Sequence, residues 1–272
     1  MATRAARVAA LYDIHGNLPA LHAVLAEVDS LGVDAVVVGG DIVAGPMPVE
    51  TMDALRARRD ARFIRGNADR ELAAGAPEPS SAAARPGWAW LTDRLDEEQR
   101  AWLAGLELSL TVEVEGLGSV LFCHGSPRSD EEIITRLTTD ERLAPMVDDV
   151  AQPVVVCGHT HVQFDRAIVG RRVINAGSVG MPYQGEPGAY WALLTDVVEL
   201  RRTAYDLDNA AELIGATGHP QATALIESLR HPPSGEEASS HFEKLALELE
   251  SSDYGQLAPA QTRSSSSWFS SS

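Results

Sequence analysis

The sequence predicts an α/β protein built on a parallel sheet, and three observations carry that reading. Short apolar runs (Val8-Ala9-Ala10-Leu11, Ala35-Val36-Val37-Val38, Val154-Val155-Val156-Cys157) have the continuous character of strands buried on both faces. Between the first two lies an amphipathic segment with Leu18, Leu21, Val24, Leu25 and Val28 at helical spacing. Each apolar run also ends beside glycine and a polar residue, and the carboxyl ends of parallel strands are where α/β sheets place their ligands.

The elements follow in order. Strand Val8–Leu11 leads through Tyr12-Asp13-Ile14-His15-Gly16-Asn17 into a helix from about Leu18, with Asn17 as N-cap, Pro19 in the first turn and Gly32 as the stop. The next strand ends at Gly39-Gly40-Asp41. A helix from about 48 to 59 and a short strand, Arg62–Arg65, lead to Gly66-Asn67-Ala68-Asp69. This β-α-β-α-β order implies right-handed crossovers.

Residues 73–90 interrupt the rhythm. Gly75, Pro77, Pro79, Ser80, Ser81, Pro86 and Gly87 predict a loop or insertion. A helix through Trp102 then starts at Asp96, with Gln99 three residues on. Trp88 and Trp90 read as core packing of a helical layer, or as a lid over substrate. Thr111–Glu115 and Ser119–Cys123 form a hairpin that ends at His124-Gly125. Two short helices are expected between 130 and 150. Strand Pro153–Cys157 ends at Gly158-His159-Thr160-His161. An antiparallel set follows (166–169, 172–174, 190–196, 199–205), then helices near 209–216 and 220–229. The domain is expected to span 1–233, with 73–105 as a helical insertion or cap. The Ser- and Glu-rich stretch 234–272, with one short amphipathic piece (Phe242, Leu245, Leu247, Leu249), reads as a mostly disordered tail.

Composition narrows the function classes. At 272 residues and 44% hydrophobic, the chain can bury a substantial core. It has no run of 18 apolar residues, and its N-terminus does not read as a signal peptide, so a cytoplasmic protein without a membrane span is expected. Its two cysteines, Cys123 and Cys157, suit buried thiols. A net charge of −17 argues against general binding to a nucleic-acid backbone. A small phosphorylated substrate remains compatible, because a bound metal supplies local positive charge. Self-association is left open.

The chemistry-bearing residues converge. Strand ends in one sheet lie close in space, so Asp13, His15, Asp41, Asn67, His124, His159 and His161 can meet at one site. Four of the chain's eight histidines fall in these loops. Seven mixed oxygen and nitrogen ligands exceed one tetrahedral zinc site. They suit two metal ions with one bridging carboxylate, the arrangement that clamps the attacking and leaving oxygens of a phosphoester.

The order Asp-x-His, Gly-Asp, Gly-Asn, His-Gly, Gly-His-x-His resembles the calcineurin-like metallophosphoesterase superfamily across roughly residues 7–205. Asn175-Ala176-Gly177-Ser178-Val179-Gly180 and Gly66-Asn67-Ala68-Asp69 are similar to its small bacterial and archaeal phosphodiesterase branch. The resemblance implies a four-layer α/β/β/α sandwich of two mixed sheets flanked by helices. It implies two divalent metals, with Mn or Fe favoured over Zn, Ni or Co. Asp13, His15, Asp41 and His161 would hold one metal, and Asp41, Asn67, His124 and His159 the other. A metal-bridging hydroxide would attack phosphorus in line, with Asn67 touching both metal and phosphate. Many members carry a histidine where this chain has Ala68. Asp69 is therefore assigned an orienting role toward His124 or a ligand, and His161 and a metal-bound water are the candidate proton donors. Arg65 and Asn17 are candidate substrate contacts.

The function implied is a phosphodiesterase acting on nucleotide-type diesters, such as a dinucleoside polyphosphate or a cyclic nucleotide. The alternatives are a phosphomonoesterase or protein phosphatase, and a metal-containing scaffold without turnover.

Overall fold

The computed structural model describes residues 4–75, 85–168 and 170–251. Strand β1 (Arg4–Ala5) and β2 (Val8–Leu11) precede helix α1 (Leu18–Leu31). Next come β3 (Ala35–Val38), α2 (Pro48–Arg56), β4 (Ala61–Phe63) and α3 (Asn67–Ala73). Helices α4 (Arg85–Arg94) and α5 (Glu97–Ala104) lead to the hairpin β5 (Ser109–Val114) and β6 (Gly118–Cys123). After α6 (Asp140–Val147) come β7 (Val154–Cys157), β8 (Phe164–Ile168) and β9 (Arg171–Asn175). The described chain ends with β10 (Ala189–Leu194), β11 (Val198–Thr203), α7 (Leu207–Ala216), α8 (Ala222–Arg230) and α9 (Gly235–Ser251).

These strands form two mixed sheets, in the orders β1-β5-β6-β7-β9-β8 and β11-β10-β2-β3-β4. Period-two alternation of side chains explains how the sheets stack. On β2 and β3, Val8, Ala10, Tyr12 and Val37 face the other sheet, where they meet Val120, Phe122, Val156 and Ile174. Ala9, Leu11, Val36 and Val38 face the opposite way, onto Leu21, Val24 and Val28 of α1 and Met52 and Leu55 of α2. Leu121, Cys123, Val155 and Cys157 pack outward against Leu143, Met146 and Val147 of α6. The result is the expected α/β/β/α sandwich. Both cysteines are buried and free.

Several elements depart from the sequence reading. A helix, α4, begins at Arg85 where a loop was expected to continue. Pro86 is tolerated in a first turn, and Trp88 and Leu91 gain burial against the α1–α2 layer. The tryptophan is thus core. Residues 77–81 of the predicted loop lie outside the described residues. A single helix, α6, stands where two were expected. The segment before it is held by side chains, with Asp130 ion-paired to Arg65 and Arg70.

The larger correction concerns the tail. Residues 235–251 form helix α9 rather than a disordered segment; 252–272 lie outside the described residues. Ser234 and Glu237 cap the helix reciprocally: Ser234 Oγ accepts from the Glu237 N–H (3.2 Å), and Glu237 Oε2 accepts from the Ser234 N–H (3.0 Å). Ala238, Phe242 and Ala246, one helical turn apart, make an inner face that packs on Ile133, Val162 and Tyr183. Most of the Glu content lies on the other faces, while Ser239 is buried with its hydroxyl bonded back to the Gly235 carbonyl (2.6 Å).

Candidate metal centre

The candidate residues sit on loops at the carboxyl ends of five strands drawn from both sheets. Asp13 and His15 follow β2, Asp41 follows β3, and Asn67 follows β4. His124 follows β6, and His159 and His161 follow β7. The structure brings all seven to the seam between the sheets. Two links fix that seam: Tyr12 Oη donates to the Val156 carbonyl (3.0 Å), and the His159 N–H donates to Asp13 Oδ2 (2.9 Å).

Backbone strain is concentrated here. Among the described residues, the non-glycine residues with positive φ are Asp13 (51°), His15 (48°), Asp41 (50°), His159 (68°) and His161 (58°). Each conformation is unfavourable for an L residue and persists only where its surroundings impose it. Close backbone approach completes the cradle. A Cβ on Gly66 would collide with the Asp41 carboxylate, and one on Gly158 would lie 2.6 Å from Asp13 Oδ2. The segment 175–180 props the loops from behind. Asn175 Nδ2 donates to the Gly158 carbonyl (2.6 Å), and Ser178 Oγ donates to the Asp13 carbonyl (2.8 Å).

Two compact triads result, Asp13–His15–His161 and Asp13–Asp41–His124, with Asp13 common to both. Asp13 Oδ1 is 3.2 Å from His161 Nε2 and 3.8 Å from His124 Nε2. Asp41 presents Oδ2 to His15 Nε2 (3.8 Å) and Oδ1 to His124 Nε2 (3.6 Å), so it turns one oxygen toward each triad. His159 lies beside His124, with ring centroids 5.2 Å apart.

The hydrogen bonds set the tautomers. His15 Nδ1 faces the Ala44 carbonyl (3.2 Å), His161 Nδ1 the Met181 carbonyl (2.6 Å) and His124 Nδ1 the Gly39 carbonyl (2.8 Å). Each Nδ1 therefore carries a proton, and each Nε2 points into the centre, free to bind a cation once its own proton, where present, is displaced. The His15 and His161 Nε2 atoms face each other at 3.2 Å, a contact that a shared proton or a cation relieves. Asp13 Oδ1, Asn67 Oδ1, His124 Nε2 and His159 Nδ1 are buried and accept no hydrogen bond. Leaving one such atom unsatisfied costs about 1–3 kcal/mol. Four such atoms on the ligand-bearing loops fit a site for cations held by oxygen and nitrogen donors.

The electrostatics agree. Burial pushes the Asp13 carboxyl up, but His161 and His124 outweigh it and hold it below its ordinary value. Asp41 is likewise drawn down, with burial opposed by His124 and His15. Burial would neutralise His124, yet Asp41 and Asp13 raise it to about 10. His159 is lowered to about 4, by burial first and then by His124.

The structure gives three of the expected residues definite partners. Asp69 takes an orienting role toward the ligand loops, without a contact to His124. Its carboxylate accepts the N–H groups of Ile42 and Gly66 (both 2.9 Å), so it ties the Asp41 loop to the Asn67 loop. Asn17 has its amide committed: Oδ1 caps α1 at Ala20 N (3.2 Å), and Nδ2 donates to the Gly180 carbonyl (3.0 Å) and Tyr205 Oη (3.3 Å). It is a structural cross-link, with no donor left for substrate. Arg65 Nε is paired with Asp130 Oδ2 at 3.0 Å, in a cluster shared with Arg70.

Sequence reasoning missed other groups. Glu71, one turn after Asn67 on α3, is 1% exposed, and neither carboxyl oxygen has a partner. Burial, then Asp41, raises it to about 8. Tyr183 stacks on His161 with centroids 4.7 Å apart and planes 21° apart. Only the i, i+4 relation of Glu71 to Asn67 could have signalled the first, and nothing local signals the second.

Fold and site together define a metal-dependent hydrolase whose centre is built at the joint carboxyl ends of two sheets. The profile of the calcineurin-like phosphoesterase superfamily domain matches residues 7–197, and the chain belongs to that family of metal-dependent phosphoesterases. A metallophosphoesterase from Sphaerobacter thermophilus superposes with a TM-score of 0.67 at 27% identity, covering 82% of this chain and 98% of that one. A hypothetical protein from Pyrococcus horikoshii OT3 shares the fold, with a TM-score of 0.72 at 21% identity over 85% of this chain and all of that one. An uncharacterized protein of Methanocaldococcus jannaschii is 26% identical over 228 residues, 76% of this chain and 91% of its own length. Helices α7, α8 and α9 lie beyond the matched residues. Among the described residues no helix is long and apolar enough to cross a membrane.

Proposed function

We propose that this phosphoesterase is a dinuclear phosphodiesterase acting on nucleotide-type diesters, a dinucleoside polyphosphate or a cyclic nucleotide. The observation that carries the reading is the pair of triads sharing Asp13, with Asp41 offering one oxygen to each. Asp13, His15, Asp41 and His161 would hold one ion. Asp41, Asn67, His124 and His159 would hold the other, with manganese or iron favoured. Bound there, the two ions would supply positive charge to the phosphoryl group and acidify a water molecule.

The chain's own residues have separate tasks. The backbone carbonyls behind His15, His124 and His161 orient the rings and aim their Nε2 atoms at the centre. Asn67 Oδ1, buried and unpartnered, is placed at the first turn of α3, whose N-terminal end favours an anionic phosphate. Ala68 gives its N–H to Asp41 Oδ1 (2.9 Å) and has only a methyl group to offer substrate. No side chain at that position can protonate a leaving oxygen. This favours substrates that depart as stabilised anions, as the phosphoanhydride of a dinucleoside polyphosphate does.

The test is a paired assay on metal-reconstituted protein, using a phosphodiester and a phosphomonoester of the same aryl alcohol, with bound metal counted in parallel. Two metals and faster diester hydrolysis are expected. Monoester preference would replace this reading with a phosphatase, and two metals without turnover on either ester would leave a narrow specificity for the natural substrate or the scaffold role.

A further inference from the structure

Helix α9 is not an appendage of the sandwich but part of the wall behind the centre. Phe242 is 2% exposed and reaches two ligand-bearing elements at once. Its ring lies 6.5 Å from the His159 ring and 6.4 Å from Tyr183, which stacks on His161. The Tyr183 N–H also donates to the His161 carbonyl (3.2 Å). Met181, whose carbonyl accepts from His161 Nδ1, packs against the same cluster. Both histidines of Gly158-His159-Thr160-His161 are thus backed by one apolar cluster whose outer half is α9.

Polar contacts hold α9 in register. Glu243 accepts from Thr135 Oγ1 (2.6 Å), from Thr138 and from Arg142, and Arg142 also pairs with Glu250 at 2.9 Å. All of these partners belong to the segment between β6 and β7, the strands that end at His124 and His159. Docking of α9 therefore presses on the loop that His159 and His161 share. That loop is already strained, with both histidines at positive φ. A loop that must be held in an unfavourable conformation depends on what packs behind it.

We infer that Phe242 of α9 is a positioning residue for the metal centre, so that docking of α9 and metal occupancy at His159 and His161 stabilise each other. The inference rests on the metal assignment above. Linkage requires the coupling to be reciprocal: whatever α9 adds to metal affinity, bound metal adds to α9 docking. Loss of outer support for ligating histidines typically weakens metal binding about 10- to 100-fold.

Two measurements on the full-length chain test this. Mn2+ and Co2+ titrations of wild type, Phe242→Ala and Phe242→Leu should show affinity about 10-fold or more weaker in the alanine variant and largely recovered in the leucine variant. The Co2+ visible bands should shift in the alanine variant, reporting altered ligand geometry. Leu247→Ala, on the exposed side of α9, serves as control. Hydrogen exchange of the wild-type α9 amides should slow when Mn2+ is added, a readout that holds even if a variant folds poorly. Unchanged affinity and bands in a folded Phe242→Ala protein, or α9 exchange indifferent to metal, would overturn the inference. Failure of the wild type to bind metal at all would instead overturn the dinuclear reading.

Discussion

Asp13 Oδ1 lies 3.2 Å from His161 Nε2 although the two residues are 148 positions apart, and the same oxygen faces His124 at 3.8 Å. One unsatisfied carboxylate oxygen therefore serves both triads. Asp13→Asn should weaken the ion held with His15 and His161 first, by about 10- to 100-fold in affinity, and lower turnover with it. Metal counting by elemental analysis checks it; full retention of both ions would remove Asp13 from the ligand set.

Asp41 turns an oxygen toward each triad, so Asp41→Asn should also deplete both positions. Normal metal content with normal turnover would end the bridging assignment.

Asp69 holds two backbone N–H groups, one from each ligand loop. Asn can accept only one of them and would turn its NH2 group against the other. Asp69→Asn should cost about 1–3 kcal/mol of stability and misplace Asp41 and Asn67 together. Thermal melts and metal titration check this. A variant that melts like wild type yet loses turnover would return Asp69 to a direct part in the chemistry.

Glu71 gives the metal-free protein a pH signature. Its folded-state pKa, about 8, lies above the ordinary 4.5, so its contribution to stability is full below about 4.5 and is lost as pH rises through about 8. Glu71→Gln removes that dependence. Relative to wild type, the variant should gain stability between pH 5 and pH 9, by about 1–3 kcal/mol. Denaturant melts at the two pH values measure the difference, and an equal gap at both would show that Glu71 does not titrate in this window.

Asn17→Ala removes the cap of α1 and the tie to Gly180. A loss of about 0.5–2 kcal/mol is expected, with KM unchanged. A raised KM at intact stability would restore Asn17 as a substrate contact.

Much of this could be read from the chain itself. Buried strands ending in Gly-Asp, Gly-Asn and Gly-His announced themselves because an apolar run followed by glycine and a ligand-type residue is a local pattern. Division of the strands into two sheets was not local: β2 and β7 look alike in sequence, and only pairing decides that one joins β3 and the other β6. The partners of Asp69, Asn17 and Arg65 (Ile42, Gly180 and Asp130) were not legible because they are distant in sequence. Composition hid α9. Its polar faces make the stretch resemble a disordered tail, while the signals that count were Ser234-x-x-Glu237 and the apolar series Ala238, Phe242, Ala246.

The His159 N–H to Asp13 Oδ2 bond closes a loop of 146 residues. During synthesis, the first triad can form only after His161 has left the ribosome, and its backing only after Phe242. No nascent fragment holds the centre in advance. Long-range closures of this kind fold slowly. A metal ion that recognises only the closed form would therefore act late, by trapping the finished chain rather than by guiding it there.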